Sequence, residues 1–165
     1  MIRIIMVCCC AWLYTGISYA QSKLPAVDIE RMDGKVVSAT EVVNTDGPTI
    51  VSFWATWCKP CVLELNEMQD QYADWKDETQ VKIVSISIDD ARSSGKVNAF
   101  VSGRRWDFDV YLDKNSDLKR ALNISNIPFT IVLDKNGDII SKHAGYVPGD
   151  EDIIYEEILE AASGE

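Results

Sequence analysis

Histidine is nearly missing from this 165-residue chain: His143 is the only one. Cysteine is scarce as well, and three of the five cysteines, Cys8, Cys9 and Cys10, lie together in the first ten residues. With those three set aside as part of an N-terminal signal, two cysteines and one histidine are left, too few for a structural zinc site, which takes four ligands drawn from cysteine and histidine. By ligand count a copper site of two thiolates and His143 stays open. Positive charge is short too, with 16 basic against 26 acidic residues. A chain this acidic is a poor partner for nucleic acid or anionic lipid, and proteins are its expected partners. Long apolar runs are also lacking. The most hydrophobic stretch, Ile4 to about Ile17, is short of the ~20 residues that span a bilayer.

That stretch follows Met1-Ile2-Arg3 and leads into Ser18-Tyr19-Ala20, with small residues at the minus-three and minus-one positions of a cut before Gln21. One positive charge, a short apolar segment and a small-residue end make residues 1–20 resemble a cleavable secretory signal, leaving 21–165 as the mature domain. An uncleaved N-terminal membrane anchor is the alternative. Cys8, Cys9 and Cys10 stand in no lipobox-like context and are read as discarded signal residues. Loss of Arg3 leaves 15 basic and 26 acidic residues, a net charge of about −11, and two cysteines, Cys58 and Cys61. The location expected is extracytoplasmic, periplasmic in a cell with two membranes.

The mature region is one domain long, and 47% apolar with 25% charged residues supports a real core. Val27-Asp28-Ile29 and Val36-Val37 flank Asp33-Gly34 and predict a hairpin. Ser38-Ala39-Thr40-Glu41 fits a capping box opening a short helix. Thr49 to Trp54 and Val81 to Ile88 are buried-strand runs, with Val110 to Leu112 a third. Between the first two, Cys61, Val62, Leu65, Met68, Tyr72 and Trp75 recur at helical spacing. Val97, Phe100 and Val101 mark a shorter helix and Asp117 to Leu122 a weak one. Phe129 to Leu133 and Ile139 to Ser141 form a second hairpin around Asn136-Gly137. Asp150 caps a last helix carrying Ile153, Ile154, Ile158 and Leu159. Strands alternating with helices make an α/β sandwich with a mixed sheet.

Cys58 and Cys61 therefore fall where a strand gives way to a helix. Free amides and the positive helix end favour a thiolate at Cys58, the expected nucleophile, and Lys59 adds a neighbouring positive charge. Pro60 suits an early helical position. Cys61 lies one turn on, within disulfide reach. An inert bridge closing so short a loop removes little unfolded-chain entropy, which favours the redox reading.

Trp54-Ala55-Thr56-Trp57-Cys58-Lys59-Pro60-Cys61 resembles the active site of the thioredoxin superfamily, and Asn126-Ile127-Pro128-Phe129-Thr130 stands where that family has its cis-proline. The N-terminal hairpin, the Phe53-led entry to the cysteines, the Ser87-Ile88-Asp89-Asp90 strand end and an extra β-α unit before Pro128 are similar to the TlpA/ResA-like extracytoplasmic thiol-disulfide oxidoreductases. The resemblance implies a thioredoxin-like sandwich and reduction of client-protein disulfides through Cys58 and Cys61, without a cofactor. It implies apocytochrome c or another exported protein as client, with a membrane thiol as electron donor. It also implies that Ile127-Pro128 is cis and faces the cysteines, so that Ile127 holds an extended client segment; by sequence alone Pro128 is equally a strand-start residue. Trp57, Lys59 and Pro60 join Ile127 and Pro128 as client-binding candidates. A thiol peroxidase and a non-catalytic copper-binding module are the rival readings.

Two positions depart from the resemblance. Ser52 replaces the buried aspartate of thioredoxin proper, and Glu64 is the substitute proton carrier, set against its reading as an ordinary acid of an early helical turn. Asn66 replaces a helix-kinking proline, so a straighter helix is expected. Trp54, Trp75 and Trp106 are expected in the core, Trp57 at a contact surface, and His143 in a structural or surface role.

Overall fold

A computed structural model describes residues 23–163. The expected signal or anchor of residues 1–20, with Cys8, Cys9 and Cys10, lies outside the described residues. Seven strands form one mixed sheet: β1 (Asp28–Arg31), β2 (Val36–Ser38), β3 (Thr49–Trp54), β4 (Lys82–Ser87), β5 (Asp109–Leu112), β6 (Phe129–Leu133) and β7 (Ile139–Ala144), in the order β2-β1-β5-β4-β3-β6-β7. Four helices accompany them: α1 (Lys59–Thr79), α2 (Val97–Ser102), α3 (Asp117–Ala121) and α4 (Asp150–Ser163).

The expected hairpin forms, with Gly34 at φ +87 in its turn, a conformation that a side chain would strain. Ser38 caps a short 3-10 turn over Ala39–Val42, and the Glu41 carboxylate accepts from the Ser38 N–H, so the capping box is complete. Every residue of β3 is buried, because the strand is central: β4 runs parallel on one side and β6 antiparallel on the other. Gly47, in the approach to β3, passes so close to the end of α1 that a Cβ there would sit 2.6 Å from the Thr79 carbonyl.

β3 sends Ile50, Ser52 and Trp54 to one face of the sheet and Val51 and Phe53 to the other, and an apolar core forms on each. On the first face α1 buries Leu65, Met68, Tyr72 and Trp75, each contributing about 1.5–3 kcal/mol. Trp75 stacks on Tyr155 of α4 at 5.6 Å. Within α4, Ile154 and Ile158 are buried, whereas Ile153 and Leu159 face outward, since α4 lies on the sheet with one stripe only. The Asp150 carboxylate accepts from the Val147 N–H in the turn that precedes the helix. Between β4 and β6 the chain adds α2, β5 and α3, with β5 parallel to β4 and joined on its other side to the N-terminal hairpin. Among the described residues, no helix is long and apolar enough to cross a membrane.

Candidate active site

β3 ends at Trp54, a four-residue turn follows, and α1 starts at Lys59. Cys58 is the residue that caps α1: its Sγ accepts the Cys61 N–H at 3.4 Å, and Pro60 occupies the first turn, where no donor is needed. A sulfur in this place meets the free amides and the positive end of a 21-residue helix. Cys58 and Cys61 are joined as a disulfide with their Cα atoms 5.4 Å apart. Cys58 is 6% exposed and Cys61 is sealed in the core, so an incoming sulfur reaches only the first. Trp57, immediately before, is 67% exposed, and Lys59 and Pro60 are exposed beside it.

The Ile127-Pro128 bond is cis. Phe129 pairs with Phe53, which places Ile127 and Pro128 at the end of the sheet where β3 gives way to the cysteine turn. Pro128 is buried, and its carbonyl accepts from the N–H of Gly145, just past the end of β7. Ile127 is half-buried and packs against the core that contains both cysteines.

Glu64 is no ordinary acid of an early turn. It lies one turn beyond Cys61 on the buried face of α1 and is 1% exposed. The Ser52 hydroxyl donates to one carboxylate oxygen at 3.2 Å and the Thr130 hydroxyl to the other at 2.9 Å. Burial pushes the Glu64 carboxyl up to about 7; the two hydroxyls pull it down by less, and the charges of Asp150 and Glu151 raise it further. Ser52, standing in place of the buried aspartate of thioredoxin proper, is thus a donor to the carboxylate that occupies the same core.

Asn66 does leave α1 as one continuous helix, and its side chain has a task that the sequence did not disclose. Its Oδ1 accepts the Trp106 indole N–H at 3.0 Å. Trp106 meets Trp54 edge-on at 5.1 Å, so the residue ending β3 is held from the side by an aromatic wall. Trp54, Trp75 and Trp106 are all buried as expected, and His143 pairs with Glu157 of α4 at 2.8 Å in a structural contact.

Asp89 is the residue that sequence reasoning missed. Fully buried at the end of β4, its carboxylate accepts from the Thr56 N–H at 2.8 Å, the Thr56 hydroxyl at 2.7 Å and the Ser87 hydroxyl at 2.7 Å. It ties down the turn two residues before Cys58. Asp89→Asn keeps the volume but removes the negative charge that strengthens these three hydrogen bonds, at a cost of about 1–2 kcal/mol. Thermal unfolding of the oxidised protein should then come roughly 2–8 °C lower; an unchanged midpoint would mean that the turn holds its shape without this anchor.

Comparison with known proteins adds a lineage to this geometry. Residues 20–142 match the AhpC/TSA family. The chain is similar to the sporulation thiol-disulfide oxidoreductase A of Bacillus subtilis (strain 168), 29% identical over 134 residues that cover 78% of each chain. It is also similar to the thiol-disulfide oxidoreductase ResA of Oceanobacillus iheyensis, 36% identical over 62% of this chain and 52% of that one. Among solved structures, a thioredoxin-like protein from Porphyromonas gingivalis is 42% identical, with a TM-score of 0.77 over 88% of this chain and 94% of its own. StoA from Bacillus subtilis superposes with a TM-score of 0.60 at 25% identity, over 80% of this chain and 99% of its own.

Proposed function

The chain belongs to the AhpC/TSA family as a thioredoxin-like thiol-disulfide oxidoreductase, and from that premise we propose that it is an exported enzyme that reduces disulfides in client proteins through Cys58 and Cys61. The observation that carries the reading is the asymmetry of the pair: one sulfur caps α1 and keeps a narrow opening to solvent, and the other is fully buried one turn behind it.

In the reduced enzyme the Cys58 thiolate attacks one sulfur of a client disulfide. A bond forms between Cys58 Sγ and that sulfur, and the client's other sulfur leaves as a thiolate. Cys61 then loses its proton and attacks Cys58 Sγ. The second client sulfur departs, the client has gained two electrons, and the Cys58–Cys61 disulfide remains. Glu64, one turn from Cys61 and titrating near neutrality, is the proposed acceptor of that proton. Trp57, Lys59 and Pro60, with Ile127 from the cis-proline turn, supply the client-binding surface, Ile127 offering backbone to an extended segment, while Pro128, expected at that surface, is buried and acts by shaping the turn.

Residues 1–20 serve as the export signal or as an anchor, which puts the enzyme in an oxidising compartment. A reductase there needs electrons from outside its own compartment, so a membrane thiol donor is part of the reading. Apocytochrome c, whose cysteines must be reduced before haem attachment, is a fitting client. The test is a Cys61→Ser chain exposed to extracts of exported proteins. Client proteins linked through Cys58, visible as adducts on non-reducing gels and released by dithiothreitol, are expected. No adduct, together with peroxide consumption by the unaltered protein, would favour a thiol peroxidase instead.

A further inference from the structure

The sixteen residues from Ala91 to Trp106 hold Arg92, Lys96, Arg104 and Arg105 and not one of the chain's 26 acidic residues. This stretch is fastened to the parts that carry the disulfide. Two residues before it, Asp89 holds Thr56. In its middle, Val97 is buried and Phe100 lies 5.5 Å from the Trp54 ring. At its end, Trp106 abuts Trp54 and donates to Asn66 of α1. The inner side is thus committed to packing, and the cations are left on the outer side. Arg92, Lys96 and Arg105 are exposed. Arg104 is laid flat, its guanidinium 3.3 Å from the Phe100 ring centroid, with a nitrogen donating to the Phe100 carbonyl. Asp90 reaches Arg92 at 3.9 Å across an exposed gap, too loosely to cancel its charge. Lys59 adds a further exposed cation at the first residue of α1. On the α4 side the sign reverses: Asp150, Glu151 and Asp152 fill the first turn of α4, and the charges of the first two reach Glu64.

We propose that the Ala91–Trp106 segment is a docking surface for an acidic stretch of the client protein, next to the disulfide that Cys58 attacks. The inference rests on the thiol-disulfide reading above and supplies its client specificity. An acidic protein repels an extended anionic plane or polymer, whereas a short acidic stretch within about 10 Å of these cations feels mainly them. The opposed signs of the two flanks also fix which way round the client lies.

The test measures how fast the reduced full chain attacks three peptides of equal length. Each carries one disulfide, flanked by acidic, neutral or basic residues. In dilute buffer the acidic peptide should react about tenfold faster than the neutral one, and the advantage should vanish near 1 M salt, where charges more than ~3 Å apart are screened. The combined variant Arg92→Glu, Lys96→Glu, Arg105→Glu should reverse the preference and leave the neutral rate as it was. Equal rates for all three peptides, or a preference untouched by the variant, would overturn the docking surface while a reactive neutral peptide keeps the enzyme reading intact. Failure of all three to react would overturn the enzyme reading and the inference with it. Binding of the unaltered chain, but not the variant, to vesicles of anionic lipid with no peptide preference would make the segment a membrane surface and refute the proposal.

Discussion

Cys58→Ser should bring insulin disulfide reduction down to the level of a protein-free control, and Cys61→Ser should leave a single round of attack without release. The two losses differ because the sulfurs sit differently. A serine at 58 keeps the cap on α1, since its oxygen accepts amide hydrogens, but at neutral pH it offers no anion to attack with. The fold should survive, and its far-ultraviolet dichroism should match that of the unaltered protein. Cys61 is sealed behind Cys58 and cannot meet a client. Its removal therefore spares the first step and blocks resolution, giving a burst of one product thiol per chain. Turnover retained by Cys58→Ser would assign the attack elsewhere.

Glu64→Gln should produce the second large effect, one that depends on pH. In the unfolded chain this carboxyl titrates at its ordinary 4.5, whereas the folded protein holds the proton to about 7. Between these values the folded state binds the extra proton, so the contribution of this group to stability is fully present below 4.5 and is lost as pH rises, levelling out about one unit above 7. A gap of this size is worth about 3 kcal/mol. The amide has no proton to lose and can still exchange hydrogen bonds with Ser52 and Thr130. Denaturant unfolding of the oxidised variant should match the unaltered protein near pH 4 and exceed it by up to about 3 kcal/mol at pH 8. If Glu64 also takes the Cys61 proton, the resolution rate of the unaltered enzyme climbs through pH 7, and the variant lacks that inflection. Parallel stability curves would show that the carboxyl ionises inside the fold as freely as outside it.

Most of the scaffold is legible in the sequence because its signals are local. Thr49 to Trp54 is a dense β-branched and aromatic run broken only by Ser52, as a strand buried on both faces requires. The Ser38–Glu41 capping box and the Asp33-Gly34 turn are written in four residues or fewer. The cis bond at Pro128 is not of this kind: a proline before a strand reads the same in either isomer, and only the resemblance raised the expectation.

What stayed hidden depends on partners distant in the chain. Asn66 and Trp106 are 40 residues apart, and Thr56 and Asp89 are 33 apart. Nothing near either pair announces the contact, and an aspartate just past a strand looks the same whether it faces water or anchors a buried turn. For Glu64 a signal was present. It shares the 3.6-residue stripe of Cys61, Leu65 and Met68, and an acid on a buried stripe demands partners. Which partners, and how far they leave its proton affinity raised, was decided by Ser52 and Thr130 on two neighbouring strands.

The claim that electrons flow from this enzyme to its clients is tested most directly by the reduction potential of the Cys58–Cys61 pair, measured on the protein at equilibrium with glutathione buffers and read by alkylation of free thiols. The account predicts a value near or below about −230 mV, in the range of thioredoxin and the more reducing glutaredoxins. A value near about −120 mV, that of a strong oxidant, would contradict it and reverse the direction of the reaction.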